Sequence, residues 1–72
     1  MTAQIQAAAA LIAEIDPALS RVWLAQPFQR HNVVTAFHRS LSKSPRYAGL
    51  ADQIAVALRS VIDASQAGPA TQ

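Results

Sequence analysis

The chain has 72 residues, no cysteine and a formal net charge of +2. That length supports one domain and buries only about 60% of its unfolded surface, so its stability is thin unless something adds to it. Without cysteine, disulfides and thiolate metal sites are excluded, which leaves good helix packing or oligomerisation as the added support.

The hydrophobic fraction of 51% is too high for a disordered chain. Much of it is alanine, which favours helix and buries little area, so the few large apolar side chains are needed for a core or an interface. The charge is unevenly spread. Between Asp16 and Asp52 there is no acidic residue, yet the stretch holds Arg21, Arg30, Arg39, Lys43 and Arg46, with His31 and His38. Such a segment makes a local positive field, or else a solvated face of Arg and Lys. The usage of Ala and Arg over Lys points to a GC-rich bacterium or its phage.

Apolar residues recur with helical spacing almost throughout, and no segment alternates as a strand does. Thr2 is placed to cap a first helix over about residues 3–15, with Ile5, Ala8, Ile12 and Ile15 as its apolar stripe. The opening residues carry no basic region and Glu14 interrupts their apolar run, so they do not read as a targeting segment. No run approaches the roughly 18 residues that cross a bilayer, and a cytoplasmic protein is expected.

Asp16-Pro17 reads as N-cap and first residue of a second helix, whose inner face is Leu19, Val22 and Trp23. The apolar spacing also runs unbroken across the proline, so one kinked helix is the alternative. The break is preferred because a mid-helix proline costs about 3 kcal/mol. Pro27 ends this helix or begins a turn. Asn32 is a fair N-cap for a third helix over about 33–43, with Val33, Val34, Phe37 and Leu41 on one side, Arg39 and Lys43 opposite, and His38 at the edge. Ser44-Pro45 is expected to open a fourth helix to about Ser65, with Leu50, Ile54, Ala57, Leu58, Val61 and Ile62 inward and Gly49 weakening its first turn. The expected architecture is all-α, a small bundle or orthogonal array of three to four short helices, with residues 1–66 as one domain and 67–72 as a flexible tail. Of the aromatics Trp23, Phe28, Phe37 and Tyr47, at least three are expected in the core, and one left exposed would mark an interface.

One stretch invites a sharper reading. Residues 50–62, LADQIAVALRSVI, are similar to the helix-turn-helix of bacterial repressors at Leu50, Ala51, Ile54, Val56, Ser60 and Val61. That resemblance implies a DNA reader. However, the turn glycine is replaced by Ala55 and the capping serine by Ala57, the two residues that carry the turn's physics. The segment also offers only Arg59 as a basic reader. One continuous helix is therefore the preferred reading, with Val56 pointing to the side that bears Asp52, Arg59 and Asp63.

His31 and His38 are seven apart, or roughly 10 Å along a helix, too far to share one ion. The carboxylates Glu14, Asp16, Asp52 and Asp63 form no acid–base pair by spacing. There is no Gly-rich phosphate loop and no GxSxG elbow. No catalytic set, metal or cofactor is expected, and an enzyme is disfavoured. The expectation is a non-enzymatic regulator, inhibitor or adaptor that binds a larger protein with an acidic surface and also forms a homo-oligomer. The expected contact residues are Arg30, His38, Arg39, Lys43 and Arg46, with Trp23 and Phe28 as apolar anchors. The alternative is nucleic-acid binding through the same basic segment; a membrane partner is not expected, because the apolar first helix lacks basic residues on its polar side.

Overall fold

The computed structural model describes residues 2–67, with the Ala67 side chain excluded. It is an all-α structure of four helices among those residues: α1 (Ala3–Ile15), α2 (Pro17–Ala25), α3 (Arg30–Lys43) and α4 (Ala51–Ala67). The expected tail beyond residue 67 lies outside the described residues. No helix is long and apolar enough to cross a membrane among those residues.

The α1–α2 junction is a single residue. Asp16 is pushed to an extended conformation by the proline that follows it (φ −143°, ψ 91°). Its backbone N–H donates to Ile12 O and closes α1, while its Oδ1 accepts from the N–H groups of Ala18 and Leu19 and opens α2. Thr2 Oγ1 caps α1 by accepting from Ile5 N–H at 3.1 Å. The break at Pro17 is therefore real, and the kinked single helix is not formed.

Two helix starts differ from the sequence reading. The third helix begins at Arg30 rather than Val33, because a single 3-10 turn, Pro27–Gln29, runs directly into it. Asn32 does not cap; it sits in the first turn and donates from Nδ2 to Gln29 Oε1 at 2.8 Å. The fourth helix begins at Ala51 rather than Pro45. Ser44 is extended before its proline, and its carbonyl accepts from the N–H groups of both Tyr47 and Ala48, which makes a separate turn. A second 3-10 turn, Ala48–Leu50, then leads into α4. Gly49 in this connection lowers the tendency to wind as α-helix. With the start displaced, Leu50 is exposed and Ala51 takes the buried position.

The core is one cluster. Ile5, Ala8, Ala9 and Ile12 of α1 meet Trp23 of α2, Val33, Val34, Phe37 and Leu41 of α3, and Ala51, Leu58 and Ile62 of α4. Helix α1 packs against α2 and α4, and α3 against α4 and α2, so the four close a ring around this cluster. Three of these buried positions, 8, 9 and 51, are alanines, which add little bulk between the helices. Every buried side-chain nitrogen and oxygen has a hydrogen-bond partner among the described residues. Helix α4 is unbroken through Ala55–Ala57, and Val56 is 66% exposed on it. The turn of a helix-turn-helix is absent there, and the repressor-like pattern lies on one straight element.

Candidate interaction surface

The seven expected contact residues do not form one patch. Trp23 is 0% exposed. Its Nε1–H donates to Ile5 O at 3.0 Å, which fastens α2 to α1 from inside. The ring is not presented to a partner, because the chain has too few large side chains to leave its largest outside the core. Phe28 takes the opposite place: it is 97% exposed in the turn between α2 and α3. Phe37 is buried and Tyr47 is partly buried against the core. Three of the four aromatics thus serve the fold and one does not.

Arg30 is half-buried and engaged within the protomer. Its Nε–H donates to Trp23 O at 2.7 Å, and its guanidinium lies 5.6 Å from the Trp23 ring centroid. It satisfies a carbonyl at the end of α2 and covers the buried indole. His38 pairs with Asp52 across the α3–α4 seam, Nε2 to Oδ1 at 2.6 Å. Arg39 and Lys43 are exposed one turn apart on α3, and Arg46 follows in the turn with its guanidinium 5.5 Å from the Tyr47 ring. These three make no ion pair with a carboxylate among the described residues. Phe28 and Arg30 therefore mark one end of α3, and Lys43 and Arg46 the other, separated by a helix of 14 residues or about 20 Å.

Beside Phe28 in the chain lies a shallow groove of about 360 Å³, lined by Thr2, Ile5, Leu24, Ala25, Pro27, Arg30 and Ser65. Leu24 is also partly exposed, at 37%. Together these supply an apolar knob and a neighbouring apolar hollow with one guanidinium at its rim. Exposed aromatic and arginine side chains are the residue types that protein contacts favour.

A second constellation was not anticipated. Arg59 of α4 donates from Nη1 to His31 Nδ1 at 2.8 Å and from Nη2 to Thr35 Oγ1 at 3.1 Å. Because His31 Nδ1 accepts here, the network assigns its proton to Nε2, which faces Asp63 Oδ1 at 3.9 Å. The seven-residue spacing of the histidines does place both on one side of α3. Their partners on α4 could not be paired with them before the register of the two helices was known. Between the two polar clasps runs a groove of about 370 Å³, lined by Thr35, His38, Asp52, Ala55, Val56 and Arg59. No group of three His, Asp or Glu side chains among the described residues is arranged to hold a metal ion.

No protein family, curated protein or solved structure matches the chain.

Proposed function

We propose that this chain is a small helical regulator or adaptor of the cytoplasm that performs no chemistry. It binds a larger protein and occludes or bridges it, acting as a self-associated unit or completed by that partner. The observation that carries this reading is Phe28, 97% exposed while every other aromatic packs inward. In a chain with so few large apolar side chains, leaving one in water forgoes about 1.5–3 kcal/mol of burial. A partner surface that covers it recovers that energy. Phe28 is the anchor, Leu24 and the groove beside it extend the contact, and Arg39, Lys43 and Arg46 steer an acidic surface toward it.

The runner-up is nucleic-acid binding, which the same three exposed cations favour. The unbroken α4 takes away its sequence-reading element, so only phosphate contact remains to it. The two readings part in one experiment. Tagged protein and its Phe28→Ala variant are used to capture partners from host lysate, with and without nuclease. The proposal expects a partner that survives nuclease and is lost with Phe28→Ala, with the circular dichroism of the variant unchanged. Capture that disappears with nuclease and ignores Phe28→Ala supports the runner-up.

A further inference from the structure

Helix α4 carries a face that is complementary to itself. Asp52, Val56 and Arg59 line one groove edge, with Val56 66% exposed and the Asp52 side chain 94% exposed. Asp52 and Arg59 stand about 10 Å apart along the helix, and the midpoint between them falls at Ala55–Val56. A second α4 laid antiparallel about that midpoint brings each Asp52 opposite the other copy's Arg59. The two Val56 side chains then meet at the centre. Ala55 on one side of this line and Ser60 on the other are small, so the axes can approach to about 8–10 Å. An apolar centre between two opposite-charge pairs meets the requirement of a two-fold interface, that the same patch serve both copies.

The other exposed helix faces lack this property. Helix α3 offers Arg39 and Lys43, like charges that repel their own symmetry mate, α2 offers Arg21 with no acid, and α1 offers Glu14 with no base. Asp52 keeps one carboxylate oxygen beyond its bond to His38. Arg59 likewise has N–H groups beyond those given to His31 and Thr35.

We propose that a second copy of this chain docks on the Asp52–Val56–Arg59 face of α4, antiparallel and two-fold symmetric. This rests on the self-association included in the proposed function and names its site. The branched residues Ile5, Ile12, Leu58 and Ile62 cannot supply that interface, because the protomer's own core consumes them.

Charge exchange provides the test. Sedimentation equilibrium is run on the full chain, on Asp52→Arg, on Arg59→Asp, on an equimolar mixture of the two, and on Val56→Asp, with helix content checked for each. The expected result is a dimer of the 7.7 kDa chain, with the dissociation constant raised tenfold or more in each single variant. The mixture should regain dimers. One copy then presents a base at both positions and the other an acid at both, so each end of the interface again joins opposite charges. A wild-type chain that stays monomeric up to about 100 μM, a value corresponding to weak association, overturns the inference and the self-association reading together. A wild-type dimer that neither single charge variant weakens, or that the mixture fails to restore, overturns the α4 face and leaves self-association standing.

Discussion

The two helix pairs of this protein are fastened in different ways. Helices α1 and α2 are joined from within. Ser20 Oγ donates to Ala9 O at 2.7 Å and Trp23 Nε1 to Ile5 O at 3.0 Å, both buried, at a joint only one residue long. Helices α3 and α4 share the apolar core, but their polar links lie outside: His38 to Asp52, and Arg59 to His31 and Thr35. Buried bonds made in a low-dielectric interior resist salt, whereas exposed pairs compete with water and are screened. The first pair is thus a fixed scaffold. The second presents charged, exchangeable groups to solvent, and both candidate contacts, at Phe28 and on α4, flank it.

The largest break in that comparison is Trp23→Ala. It empties the centre of the α1–α2 scaffold and orphans the link to Ile5, and it should cost about 3–5 kcal/mol. For a domain this small that is enough to leave much of the chain unfolded, as urea denaturation followed by circular dichroism would show. Ser20→Ala removes one buried donor and should cost about 1 kcal/mol by the same measurement. His38→Ala, which removes an exposed link of the other pair, should cost less than about 1 kcal/mol and lose even that at high salt. If His38→Ala proved as damaging as Ser20→Ala at high salt, the contrast between inner and outer fastening would be wrong.

How far the sequence could be read depended on where a helix takes its cap. The α1–α2 joint was legible because Asp16 supplies the cap with its own side chain and Pro17 cannot continue the ladder. The starts of α3 and α4 were not, because backbone 3-10 turns lead into both with no side-chain cap preceding either turn. The continuity of α4 was legible from Ala55 and Ala57, which stand where a turn would need glycine and a cap. The fate of the aromatics was legible only as a count. At least three rings were expected in the core while both Trp23 and Phe28 were expected as anchors; which of the two stays outside depends on how α2 meets α1, and tertiary contact chose Trp23 for the core and Phe28 for the surface. The bond that Arg30 makes within the protomer was hidden for the same reason: it reaches Trp23 O across the turn, and no spacing rule announces it.

The central claim is that Phe28 is the point at which this protein engages another. It is tested most directly by the dissociation rate of the captured partner from wild type and from Phe28→Ala, measured by surface-bound kinetics beside an unfolding curve for each. The account predicts dissociation at least about tenfold faster, as for an interface anchor worth about 1.4 kcal/mol or more, with the unfolding midpoint unchanged. An unaltered dissociation rate would contradict it, and most decisively alongside sub-micromolar binding to random duplex at physiological salt that Arg39→Glu with Lys43→Glu abolishes.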